Sequence, residues 1–107
     1  MYIYVAGPYT KGGVAENVRR AIYDGDYIER IGHTAFVPHL THFWHMFSHH
    51  EYEFWMQHDL KWLEKCDAIY RIPGECAGAD REVNHALSLG LIVYGSVFDI
   101  PRADGKP

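Results

Sequence analysis

No apolar run in this chain approaches the roughly 20 residues that a membrane-crossing helix needs, so no membrane span is expected. A basic run is missing too. Ten Lys and Arg stand against fourteen Asp and Glu, and the formal net charge of −4 argues against duplex nucleic acid as the main partner. Cysteine is scarce: Cys66 and Cys76 make neither a C-x-x-C pair nor a disulfide framework, which suits a reduced, cytoplasmic protein. Met1 leads straight into a strand-like run, so no signal peptide is expected. Neither G-x-x-x-x-G-K-[ST] nor G-x-G-x-x-G occurs, which argues against a nucleoside-triphosphate loop and a dinucleotide fingerprint. H-E-x-x-H is absent as well, because Phe54 stands where the second histidine after His50-Glu51 would fall.

What remains is a hydrophobic fraction of 48% and an aromatic fraction of 15%, too apolar for a disordered chain and enough for one domain over residues 1–107. Tyr2 to Ala6 is β-branched and aromatic and reads as a first strand, stopped by Gly7-Pro8. Val14, Val18, Ala21, Ile22, Ile28 and Ile31 recur near a 3.6-residue period and predict a helix that Gly32 closes. Thr34 to Val37 predicts a second strand. His39 to His50 has no clear period and reads as an ordered loop rich in His and aromatics. A helix is expected from about Glu51 to Glu64, a buried strand over Ala68 to Ile72, a helix from about Ala79 to Leu89 and a strand over Leu91 to Tyr94. Residues 95–107 read as an edge strand or a tail, with Pro101 limiting any pairing. Strands alternating with helices predict an α/β three-layer sandwich with a four- to five-stranded, mostly parallel sheet, flavodoxin- or Rossmann-like.

Ligands of such sheets bind at the carboxyl ends of the strands, which directs attention to the turns that follow them. Glu82 is expected in the first turn of its helix, where the macrodipole favours an ionised carboxylate able to attack an electrophilic carbon. The same placement also fits an acidic residue that merely stabilises a helix start. Asp59 falls inside the apolar stripe Tyr52, Trp55, Met56, Leu60 and Leu63. Desolvation there should raise its pKa and suit it to proton donation, unless it sits at the rim bonded to backbone. The turn Gly7-Pro8-Tyr9-Thr10-Lys11-Gly12-Gly13 opens a helix and can cradle an anionic or polar group with backbone N–H donors. Tyr4 and Tyr9 can hydrogen-bond a ligand at that sheet edge, although a turn that only clears the sheet fits nearly as well. His39, His42, His45, His49 and His50 match no structural zinc spacing; no metal and no cofactor are expected. Their segment is expected to wall a pocket, with Phe43 or Trp44 stacking on a flat ring, or to make a subunit contact.

Three groups of residues, in order, resemble the nucleoside 2-deoxyribosyltransferase superfamily. They are Ile3-Tyr4-Val5-Ala6-Gly7-Pro8, then Asp59-Leu60-x-Trp62-Leu63 with Cys66-Asp67-Ala68, then Gly78-Ala79-Asp80-x-Glu82 with Ala86 and Gly90. Pro38 to His45 is similar to a motif of a short bacterial and phage branch, and the likeness runs from Tyr2 to about Tyr94. The resemblance implies cleavage of the N-glycosidic bond of a nucleoside or deoxynucleoside. Glu82 is then the nucleophile, Asp59 holds the sugar and aids proton transfer to the departing base, and Tyr4 assists Glu82. Gly78 belongs to the substrate loop, and Cys76 stands where Asp or Ser is frequent. That departure bears on the sugar and its 5′ substituent, so a nucleoside 5′-monophosphate N-glycosidase and a non-catalytic nucleotide-binding module of the same fold remain alternatives. Homodimers or larger assemblies are implied, with Ser96 a candidate for completing a neighbour's pocket.

Overall fold

The structure, a computed structural model, describes residues 1–104. Four parallel strands, β1 (Tyr2–Ala6), β2 (Thr34–Phe36), β3 (Ala68–Arg71) and β4 (Ile92–Tyr94), form one sheet in the order β2-β1-β3-β4. The order follows from the connections. Helix α1 (Val14–Arg30) carries the chain from β1 to β2 on one side, and the longer connection to β3 places that strand on the other side of β1. That connection holds a short 3-10 helix (Pro38–Thr41), α2 (His42–Phe47) and α3 (Tyr52–Leu63), while α4 (Ala77–Ser88) links β3 to β4.

Alternation along β1 divides the core into two layers, as period-2 strands require. Ile3 and Val5 face α1 and pack with Ala21, Ile28, Ala68 and Tyr70. Tyr4 and Ala6 face α3 and α4 and pack with Leu63, Ile69, Ala79 and Ala86. This is the expected three-layer sandwich with four strands. A fifth does not form among the described residues: the chain after β4 makes a short 3-10 helix (Val97–Asp99), and Ile100 is buried in the α1 layer. Residues 105–107 of the expected tail lie outside the described residues.

Three strands are one residue shorter than the sequence reading, and two differences are larger. The segment after β2 is helical, not a loop, and α4 begins at Ala77 rather than Ala79. Cys76 explains the second difference. Its Sγ accepts from Ala79 N at 3.3 Å, filling the N-cap role usually taken by an oxygen. Gly7 lets β1 and β3 leave the sheet side by side, since a Cβ there would stand 2.8 Å from Ile72 Cβ.

Candidate active site

β1 is where the strand order reverses, so the carboxyl ends of β1 and β3 flank the topological switch point. The last paired residues are Ala6 and Arg71. Beyond them the chain turns away as Gly7-Pro8 on one strand and Pro73-Gly74 on the other. A cavity of about 820 Å³ opens there, within the range for small-molecule sites. Gly7, Pro8 and Tyr9 form one side, Cys76 and Gly78 the start of α4, and Tyr52, Trp55, Met56 and Asp59 the inner face of α3. Spacings of three and four residues put those α3 side chains on one helical face. Gly78 brings α4 close to α3: a Cβ on it would lie 3.1 Å from the Tyr52 hydroxyl, which would have to give way slightly.

Asp59 and Glu82, distant in sequence, both line this cavity. Glu82 is 7% exposed, and the hydroxyl of fully buried Tyr4 donates to its Oε2 from below. Burial pushes the Glu82 carboxyl up to about 7; the Tyr4 hydrogen bond and the Arg71 charge oppose that rise, and the Asp59 charge adds to it. Asp59 is pushed up to about 6, again by burial, with His58 (Nδ1 3.1 Å from Oδ1) pulling the other way. The Tyr4 phenol is raised well above its ordinary value by burial and by Glu82, so it remains a donor.

This corrects the expectation for Glu82. It is the sixth residue of α4, beyond the first turn, and desolvation outweighs the helix dipole. The two carboxyls do not have opposite tendencies, since both are raised. Between about pH 6 and pH 7 the pair holds one proton, and the higher Glu82 value places it mainly on Glu82.

Other expected residues fall differently. Trp44 does not line the cavity. It sits in a neighbouring groove with Phe36, His58 and Trp62, and packs edge-on against Trp55 at 5.0 Å. Trp55 therefore supplies the aromatic surface expected from Trp44. Phe43 is 64% exposed on the outside of α2. Ser96 caps the 3-10 helix after β4, accepting from Phe98 N at 3.2 Å, and is not among the residues around the cavity. The histidine wall is real: His39, His42, His45, His49 and His50 all line the cavity. Among the described residues no cluster of three or more His, Cys, Asp or Glu has the geometry to hold a metal ion. A signal for this wall was present in the sequence, because His42, His45 and His49 are spaced i, i+3, i+7.

The family defined as a domain of unknown function, DUF4406, matches residues 1–94. The chain belongs to this family. No curated protein sequence matches the chain. Among solved structures, this DUF4406 chain is similar to a 2-deoxyribosyltransferase from the psychrotolerant bacterium Bacillus psychrosaccharolyticus. Identity is 21% over 90% of this chain and 75% of that one, with a TM-score of 0.67. At that identity the likeness establishes a shared Rossmann-like α/β fold. No helix among the described residues is long and apolar enough to cross a membrane.

Proposed function

We propose that the protein cleaves the N-glycosidic bond of a nucleoside or deoxynucleoside and passes the sugar to another base or to water. The observation that carries this reading is one cavity lined by two carboxyls, buried Glu82 and partly buried Asp59, both pushed up by burial, with Glu82 bound by a buried tyrosine hydroxyl. A Glu82 carboxylate oxygen attacks the anomeric carbon. The C–N bond breaks, its electron pair leaves with the base, and Asp59 supplies the proton. A second base or a water then attacks the same carbon, the ester C–O bond breaks, and the proton returns to Asp59. Tyr4 favours the ionised nucleophile, because its hydroxyl donates to the charged form of Glu82.

Charge favours a free nucleoside over a 5′-monophosphate. Glu51, Asp59, Glu75 and Glu82 line the cavity, and Lys11, the one Lys or Arg among the described lining residues, is paired with Glu75 at 2.8 Å. Arg71 is committed to Gly74 O at 2.9 Å and Asp80 Oδ1 at 3.0 Å, and Arg19 pairs with Glu16. A phosphate would meet repulsion without a free cation to offset it. Homo-oligomeric assembly belongs to the same reading, supported by Phe43, Met46 and Phe47, which α2 leaves exposed.

The test is base exchange. Incubation with a deoxynucleoside and a free acceptor base, followed by chromatography, should yield the exchanged nucleoside or free sugar. Glu82→Ala should lower the rate by about a thousandfold or more. The rate should peak between about pH 6 and pH 7 and fall on both sides. The productive form, with Glu82 ionised and Asp59 protonated, is the minor one of the two singly protonated forms, and both are lost in acid and in base. Equal yields from Glu82→Ala and wild type would overturn the assignment. A nucleoside that raises the melting temperature without being consumed would instead favour a binding module.

A further inference from the structure

The histidine wall has one member whose protonation pattern is set by its neighbours. Trp55 Nε1 lies 2.7 Å from His45 Nδ1, and an indole nitrogen only donates. The backbone N–H of His50 points at the same atom from 3.4 Å. Nδ1 is thus an acceptor, and the neutral ring must carry its proton on Nε2. That Nε2 has no partner among the described residues. The ring is held on more than one side: His49 lies against it at 4.3 Å between centroids, and Trp44 braces the Trp55 indole at 5.0 Å.

Neighbouring histidines are engaged otherwise. His42 Nδ1 bonds the Tyr9 hydroxyl, and His39 is buried with Nε2 on Pro8 O at 2.9 Å. Trp55 precedes Asp59 by one helical turn on the same face of α3, so His45 is bonded to the helix that carries Asp59, and all three line the one cavity. A sugar placed at Asp59 and Glu82 would put its base against this aromatic wall. Nucleobases carry ring-nitrogen and carbonyl acceptors along their edges, and negative charge builds on them as the glycosidic bond breaks.

We infer that His45 donates its Nε2–H to an acceptor on the edge of the nucleobase, recognising the base and stabilising its departure, with Trp55 as the positioning residue that fixes the tautomer. The inference rests on the glycosyl-transfer reading above. It adds a base-binding subsite to it. A donor aimed at developing charge acts more strongly in the transition state than in the ground state.

The experiment compares deoxyadenosine with its 7-deaza and 3-deaza analogues in wild type, His45→Phe, His45→Gln and Trp55→Phe. Wild type should lose about tenfold or more in kcat/KM on whichever analogue lacks the bonded nitrogen. His45→Phe should lose about a hundredfold on deoxyadenosine and no longer discriminate that analogue from the parent. His45→Gln, which keeps an N–H donor, should recover part of both. Trp55→Phe should lose several-fold together with the same discrimination, a change that loss of packing alone would not produce. Active wild type with a His45→Phe variant that keeps the full analogue discrimination overturns this assignment and leaves the glycosyl-transfer reading standing. Wild type that neither binds nor consumes any of the three nucleosides overturns both.

Discussion

Two buried tyrosines on adjacent strands make a controlled contrast. Tyr4 on β1 and Tyr70 on β3 point to opposite faces of the sheet, and each donates its hydroxyl to a carboxylate. Tyr70 meets Asp24 of α1 at 2.8 Å, and Arg20 holds the same carboxylate at 2.9 Å. That network is a satisfied ion pair at the edge of the core, and burial beside Asp24 pushes the Tyr70 phenol up to about 12. Tyr4 meets Glu82 with no cation bonded to the carboxylate among the described residues; its charged neighbours are a second carboxyl, Asp59, and the more weakly acting Arg71. The same kind of pair, a tyrosine hydroxyl on a carboxylate, is therefore tied into an ion pair on one face and set at a cavity on the other. What differs is a cation bonded to the carboxylate, present for Asp24 and absent among the described residues for Glu82, and the face without it has the cavity.

Removing each hydroxyl separates the two roles most strongly. Tyr4→Phe should lower kcat between tenfold and a hundredfold and shift the acid limb of the rate profile upward, because Glu82 loses the donor that favours its ionised form. Tyr70→Phe should leave kcat within about twofold and lower stability by about 1 kcal/mol, the ordinary value of one hydrogen bond. Comparable kinetic losses from both would dissolve the contrast. Chemical denaturation and steady-state rates on the same preparations measure both effects.

A smaller effect concerns stability against pH. Both cavity carboxyls stand above their unfolded-state values, so the folded chain binds more protons than the unfolded chain between about pH 4 and pH 7. Their contribution is complete below that window and is lost as pH rises through it. Glu82→Gln should therefore be more stable than wild type at pH 8, by roughly 2 kcal/mol, with the difference vanishing near pH 4. A stability gain that does not change with pH would place its origin outside this carboxyl.

Much of this contrast was legible in the chain. The alternation Ile3, Tyr4, Val5, Ala6 marks β1 at its full length, and the apolar stripe of α3 with Asp59 inside it predicted a raised carboxyl, as found. The likeness to deoxyribosyltransferases in those stretches agrees with the fold of the solved enzyme. Three features were not legible, each for a physical reason. The start of α4 was hidden because a thiol serves as its cap at Cys76. The α2 helix was hidden because its six residues mix histidines facing the cavity with apolar side chains facing out, so hydrophobicity alone shows no period. The protonation of Glu82 was misread because the helix dipole is a local property, whereas burial between β1, α3 and α4 is set by residues far along the chain.

The most direct test of the central claim is a trapping experiment on Glu82. Wild-type protein would be mixed with a deoxynucleoside whose 2′-fluorine slows release of the sugar, quenched, digested and weighed by mass spectrometry. The account predicts one added sugar mass on the peptide containing Glu82 and none in Glu82→Gln. Nucleoside consumed while that peptide stays unmodified and the sugar appears on another residue would contradict it.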